Sequence, residues 1–182
     1  MFLPAAVLTL AVLLLLISLF ETTQAAYLPS DGGKTLHIIM YHSILKDPAR
    51  TGKYVVTPAQ LKADFEYLRK HGYTSVLPRD LVKYAKGEAD LPEKCVMLTF
   101  DDGYYNNLLY LLPLLEEYSF NALISVVGKF TRLYTDSGDK NPNYAHLSYD
   151  DIRLLDASGK IEIGNHTYDC LLYTSPSPRD RS

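Results

Sequence analysis

The chain has 182 residues, of which 47% are hydrophobic, 21% charged and 12% aromatic, a composition typical of a folded globular protein of about one domain. Its formal net charge of −3 gives no basic surplus, which argues against a nucleic-acid partner. The two cysteines exclude a disulfide-rich scaffold and a four-cysteine zinc site. No glycine-rich phosphate loop is present, so nothing points to a nucleotide.

The first 26 residues are interpreted as a targeting segment rather than as part of the fold. Residues 2–20 contain no charged side chain, a run that is long for a secretory leader and about long enough to span a bilayer. Residues 23–26 offer a small-residue cleavage site. A cleaved leader and an uncleaved membrane anchor both stay open. Both predict a domain outside the cytoplasmic membrane, either secreted or membrane-anchored.

Between residues 36 and 164, short apolar runs alternate with helical patterns. Thr57 and Gln60 form a capping box with Pro58 in the first turn, which marks a helix start. Strands separated by helices of about 10–15 residues indicate right-handed crossovers and a parallel sheet, and nearly continuous apolar strands indicate burial on both faces. The fold class is therefore α/β. In chain order the pattern predicts a strand over 36–40, a helix from 57 to 72, a strand over 74–77, a helix over 78–85, a strand over 94–100, a helix over 106–118, a strand over 120–127, a polar loop over 128–147, a helix over 148–156 and a strand over 160–164.

Residues 170–182 do not continue this pattern. When back-translated, the stretch that begins at Cys170 resembles a transposase adapter used in sequencing libraries. We therefore expect a non-native tail, with Asp169 as the last native residue and residues 27–169 as the N-terminal part of a domain. A genuine Ser/Pro-rich linker is the alternative.

Polar residues cluster where three predicted strands end. Asp101 and Asp102 follow one strand, His166 follows another, and His42 follows the first. Sites of parallel α/β folds gather at the carboxyl ends of strands, so we expect these groups to lie together. Adjacent carboxylates on a tight turn point in different directions, which lets one bind a cation while the other acts as a base. An ordinary surface turn is the alternative for this acidic pair taken alone.

The side chains around the acidic pair suggest individual roles. The imidazole of His166 suits zinc, and a second ligand four residues later would share one face of a helical turn. Cys170 stands at that position, but it also begins the suspected tail and is not expected to be a ligand. His42 is predicted to contact substrate, with packing at the strand end as the alternative, and Tyr104 to stack on a sugar ring. Three further histidines are interpreted as incidental: His37, His71 and His146.

Taken together, these segments resemble the polysaccharide deacetylase family, also called the NodB-homology domain or carbohydrate esterase family 4. The resemblance rests on residues 40–44 (MYHSI), 99–104 (TFDDGY) and 162–167 (EIGNHT), and it covers about residues 36–169. It implies a distorted (β/α) barrel with fewer than eight strands, here incomplete. It also implies metal-dependent removal of N- or O-acetyl groups from an acetylated polysaccharide, with Zn²⁺ as the expected metal.

The resemblance also assigns roles by position. Asp101 matches the family's catalytic base, Asp102 its metal-binding carboxylate and His166 its first metal-binding histidine. The second histidine would fall at position 170 and is absent. The later segments that orient the base and supply the general acid are absent as well. The natural full-length protein is therefore expected to be a deacetylase, whereas this chain is expected to be inactive and poorly folded.

Two other function classes remain open. A membrane-tethered carbohydrate-binding module would use the same cleft without turnover. Metal-dependent hydrolysis of phosphate esters also uses paired aspartates, but the sequence shows no further cluster of Asp and His ligands. The sequence leaves the polymer itself undetermined.

Overall fold

The computed structural model describes residues 34–169, and a parallel sheet is its central feature. The strands are β1 (Leu36–Tyr41), β2 (Ser43–Ile44), β3 (Val55–Val56), β4 (Thr74–Ser75), β5 (Cys95–Phe100), β6 (Ala122–Val126) and β7 (Ile161–Asn165). The α-helices are α1 (Pro58–Lys70), α2 (Pro78–Ala85), α3 (Leu112–Tyr118), α4 (Gly128–Ser137) and α5 (Tyr149–Ala157). A short 3₁₀ turn covers Pro48–Arg50 and a π-helical turn covers Asn107–Leu111.

Strand β5 organises the sheet. One edge of β5 pairs with β1 along the whole strand, while its other edge pairs with β4 at the start and with β6 at the end. Strand β7 pairs with β6, and β2 pairs with β3 in a separate small sheet. All of these pairs are parallel, so the predicted α/β class with helices between parallel strands is confirmed.

The main core lies on one face of this sheet. Val96, Leu98 and Phe100 of β5 pack there with Leu61 and Phe65 of α1, all of them fully buried. The intervening β5 side chains, Cys95 and Met97, belong to a second cluster on the opposite face. Burial of β5 on both faces, as its apolar run predicts, is therefore confirmed.

Strand β1 departs from that expectation. Ile38 is 61% exposed and Met40 is 57% exposed. Among the described residues, β1 pairs only with β5 and β7 only with β6, so the sheet has two open edges. The prediction that every strand is buried on both faces is therefore wrong for β1, where no described residue covers these two side chains.

Helix α4 is the main element that the sequence pattern misses. The pattern predicts a loop over residues 128–147, yet Gly128–Ser137 is helical and ends at Gly138, whose φ is 68°. Thr131 is buried, and the Phe130 ring packs against His146 with 4.5 Å between ring centroids. Tertiary packing thus overrides the weak local preference of a segment that contains Gly, Thr, Asp and Ser and no Ala, Glu or Gln.

The predicted helix over 106–118 is also divided. Its first part is the π-helical turn, in which the Leu112 N–H donates to the Asn107 carbonyl five residues earlier. Pro113 has no N–H to continue the α-helical ladder, which accounts for the altered hydrogen bonding just before it.

The two terminal segments, residues 1–26 and 170–182, lie outside the described residues, and so do the predictions of a targeting segment and of a non-native tail. Within residues 34–169, no helix combines the length and the apolar character that crossing a bilayer requires.

Candidate functional site

The strand ends that carry the predicted site residues meet at one edge of the sheet. Tyr41, the last residue of β1, is in register with Phe100, the last residue of β5. The Asp101 N–H donates to the Tyr41 carbonyl at 2.9 Å. His42 and Asp101, which follow β1 and β5, are therefore neighbours where these two strands end. The predicted convergence of these polar segments is therefore present.

His166 joins the same edge through β6. Its backbone N–H donates to the carbonyl of Val126 at 2.9 Å. Its side chain then reaches the acidic turn: the distance from His166 Nε2 to Asp102 Oδ1 is 3.6 Å. Both side chains keep part of their surface open, with 32% of His166 and 23% of Asp102 accessible.

This spacing fits two ligands of one small cation. Tetrahedral zinc with N and O ligands at about 2.0–2.1 Å separates neighbouring donor atoms by about 3.4 Å. Asp102 and His166 are therefore the side chains that could hold zinc. Among residues 34–169, no group of three or more His, Cys, Asp or Glu side chains is arranged to hold a metal ion, so a closed site would need a further donor.

The turn that carries Asp102 is held in an unusual backbone conformation. Asp102 has φ 67° and Gly103 has φ 65°. The Gly103 carbonyl accepts a hydrogen bond from the Leu147 N–H, and the Tyr105 N–H donates to the Ala145 carbonyl, both at 2.8 Å. Residues 145–147 therefore clamp the turn through two backbone hydrogen bonds.

His146 lies in the middle of this clamp, and sequence reasoning missed it. Its ring stacks on Tyr104 with 4.6 Å between centroids and also contacts Phe130 and Tyr134. Burial lowers the pKa of His146 to about 4, against the opposing influence of the Asp102 carboxylate. The interpretation of His146 as incidental does not fit its place here, and no local pattern in the sequence marks it.

The low pKa of His146 predicts a loss of stability in mild acid. Its folded pKa of about 4 lies below the ordinary value of 6.5, so the unfolded chain binds the proton first. Stability is then complete above about pH 6.5 and falls by about 3 kcal/mol as the pH drops to about 4. Urea unfolding at a series of pH values measures this loss. His146→Phe, which keeps a ring in the stack, should flatten the profile in that window; an unchanged slope would contradict the prediction.

Tyr104 and His42, the two predicted substrate contacts, have different surroundings. Tyr104 is half-buried in the stack on His146, and burial, followed by the nearby Asp102 charge, raises its pKa. His42 packs against the half-exposed ring of Tyr54, with centroids 4.7 Å apart. His42 follows β1 next to the segment of Asp101, and Tyr104 directly follows the acidic turn; their contact with substrate stays a prediction.

Asn106 is a second residue that the sequence analysis did not single out. It is fully buried, and its Oδ1 accepts from the Ile44 N–H at 3.0 Å. Its Nδ2 donates to Ser43 Oγ at 2.9 Å and to the Pro142 carbonyl at 3.0 Å. One amide thus fixes the segment that follows His42 to the loop before the clamp.

Comparison with known proteins finds that this chain is similar to polysaccharide deacetylases. A family model described as polysaccharide deacetylase matches residues 88–181, slightly more than half of the chain. The YxkH protein of Bacillus subtilis (strain 168), which also carries the polysaccharide deacetylase name, is 28% identical over 162 residues, 88% of this chain and 52% of its own. The poly-beta-1,6-N-acetyl-D-glucosamine N-deacetylase of Escherichia coli (strain K12) is 27% identical over 136 residues, 72% of this chain and 20% of its own.

Solved structures show the same fold. A de-N-acetylase from Aggregatibacter actinomycetemcomitans superposes with a TM-score of 0.67 at 26% identity, over 80% of this chain and 59% of that one. IcaB from Ammonifex degensii gives 0.61 at 28% identity, over 75% of this chain and 55% of that one. The chain thus spans only about half the length of several of these relatives. The predicted fold of the NodB-homology type is confirmed, and the chain belongs to the polysaccharide deacetylase family.

Proposed function

We propose that the natural protein is a metal-dependent polysaccharide deacetylase that hydrolyses N-acetyl or O-acetyl groups of a cell-wall or extracellular glycan. The observation that carries the proposal is the 3.6 Å approach of Asp102 and His166 beside Asp101, on the fold of this family. The name of the Escherichia coli relative supports a polymer of N-acetylglucosamine as the substrate class.

The roles follow from the chemistry of each group. A bound zinc ion would lower the pKa of a water molecule towards neutrality and polarise the acetyl carbonyl. Asp102 and His166 would hold that ion. Asp101, which forms no side-chain hydrogen bond or ion pair within residues 34–169, would take the proton from the attacking water as general base.

Substrate contacts complete the proposal. His42, which directly follows β1, would hydrogen-bond a sugar hydroxyl or acetamide group, and Tyr104 would contact the sugar ring. The leaving amine needs a proton from a general acid, for which the family uses a segment that this sequence lacks. With Cys170 in place of the second histidine, we expect this chain to release no acetate.

The test is acetate release in the presence of zinc, from oligomers of N-acetylglucosamine, by a version of the protein completed beyond residue 169. We expect Asp101→Asn to reduce the rate of acetate release by about 100-fold or more. The neutral amide has nearly the size and shape of the carboxylate but cannot act as the general base. Zinc binding, followed by calorimetry, should survive in this variant and disappear in Asp102→Asn.

Two results would count against the proposal. Unchanged turnover in Asp101→Asn would remove the assigned base. A completed protein that binds the oligomers and zinc without releasing acetate would instead be the membrane-tethered carbohydrate-binding module.

We also propose a secreted or membrane-anchored location, since residues 2–20 carry no charge; membrane fractionation with and without these residues tests it. Nucleic acid is not among the proposed partners.

A further inference from the structure

One exposed aromatic side chain lies next to the site without a role in the chemistry above. Tyr54 is 48% exposed, and one side of its ring packs on His42. His42 directly follows β1, whose last carbonyl accepts the Asp101 N–H. Tyr54 thus packs on the residue that follows β1, next to the backbone segment that carries the proposed base.

The backbone holds Tyr54 in this position. Its carbonyl accepts a hydrogen bond from the Ser43 N–H at 3.1 Å, and Gly52 and Val55 pair on either side of it through two backbone hydrogen bonds. The same loop is tied at Arg50, whose guanidinium donates to the Asn143 side chain and carbonyl. The ring therefore stands on a fixed two-residue turn rather than on a free loop.

A second exposed tyrosine lies at the other end of the same edge. Tyr168 follows His166 and is 64% exposed. The Tyr168 carbonyl accepts from the Lys129 N–H at 2.8 Å, and its ring lies against Gly128, where a Cβ atom would be 3.2 Å away. Three strand spacings, about 14 Å, separate the end of β1 from the end of β7 in the sheet order.

From this placement we propose that Tyr54 and Tyr168 are two sugar-stacking platforms on opposite sides of the acidic turn, so that the site binds a run of several acetylated amino-sugar units across the strand ends. The substrate class rests on the proposed function. Tyrosine rings offer large, rigid apolar faces at low entropic cost, which suits the apolar face of a pyranose ring. Lys53, whose Nζ lies 5.0 Å from the Tyr54 centroid, is fully exposed and can be displaced at little cost.

The test measures binding rather than turnover, so it is independent of whether this chain is an active enzyme. The monomer, dimer, tetramer and hexamer of N-acetylglucosamine are titrated, without added zinc, into the version of the protein completed beyond residue 169, by calorimetry or ligand-observed NMR. Affinity should rise from monomer to tetramer. Tyr54→Ala should weaken tetramer binding by about tenfold and leave monomer binding unchanged, whereas Tyr54→Phe should keep most of the affinity.

Tyr67 provides a matched control. It is also an exposed tyrosine stacked on a histidine, His71, with centroids 3.9 Å apart. It lies near the end of α1, just before β4 begins. It is therefore at the end of the sheet where the strands start, away from the strand ends that carry the site. Tyr67→Ala should leave tetramer binding unchanged.

Either of two results would overturn the inference: affinity that does not depend on oligomer length in the parent chain, or tetramer binding by Tyr54→Ala equal to that of the parent. Acetate release by the completed protein separates this inference from the proposed function. Length-dependent binding without acetate release would support the stacking role of the two tyrosines and contradict the proposed deacetylase activity. Acetate release with unaltered binding in Tyr54→Ala would support the activity and contradict the stacking role.

Discussion

Gly103→Ala is expected to lower the free energy of unfolding by about 3 kcal/mol, from the left-handed backbone and from overpacking together. Gly103 has φ 65°, and a Cβ atom there would lie 2.8 Å from Val126 Cγ1 and 3.2 Å from Val126 Cα. The second contact is to backbone of β6, so a side-chain rotation cannot relieve it. For a chain of this length the melting temperature should fall by about 10 °C, which differential scanning calorimetry measures.

Gly87→Ala is the matched control. Gly87 has nearly the same backbone conformation, φ 71°, but a Cβ atom added there would have nothing within 4 Å of it. Only the backbone cost should then remain, about 1 kcal/mol. In Gly103→Ala, the displaced turn should also separate Asp102 from His166 and weaken zinc binding. Equal losses of stability in the two variants would show that the approach of the turn to β6 is unimportant.

Asn106→Ala is expected to cost about 4 kcal/mol, because removal of the amide leaves the buried Ile44 N–H without its acceptor and the Pro142 carbonyl without its donor. It should also release the chain after His42, since the bond from Asn106 to Ser43 is lost as well. Urea unfolding measures the loss of stability. Broadening of the His42 NMR signal alone among the histidines would report the release of this segment.

Asn107→Ala is the natural comparison. Asn107 is as fully buried as its neighbour, yet its amide oxygen and nitrogen both have no hydrogen-bond partner among the described residues. Truncation there removes a similar volume without breaking a side-chain hydrogen bond, so it should cost about 1 kcal/mol. Similar losses for the two variants would mean that the hydrogen bonds of Asn106 contribute little.

The parts of this structure that the sequence predicts are those with a local physical cause. Thr57 begins α1 with a complete capping box, as its spacing to Gln60 indicates, and the predicted helix over 148–156 begins at a complete capping box of Ser148. The apolar runs give the strands, and parallel pairing then brings His42, the acidic pair and His166 to one edge. The first step is local, and the second needs only the general rule that the carboxyl ends of parallel strands meet at one end of a sheet; the parallel α/β arrangement is confirmed.

The parts that escape prediction depend on distant contacts. Helix α4 is stabilised by packing of Phe130 and Thr131 rather than by its own residue preferences. His146 becomes important only because its segment pairs with Tyr104, and that pairing joins stretches of chain about forty positions apart. Ile38 and Met40 are exposed because no described element packs over their face of β1, and an apolar pattern does not reveal what covers a face.

The positive φ of Asp102, 67°, has a consequence for how this protein can change. Glycine is the residue that adopts such a conformation without steric cost, so Asp102→Gly would relax the backbone and remove a proposed zinc ligand in the same step. A mutant library sorted only for heat resistance would then enrich a variant that sorting for metal uptake discards. At this position, selection for stability favours glycine, whereas selection for zinc binding favours aspartate. Such opposition is common where backbone strain lies at a functional site.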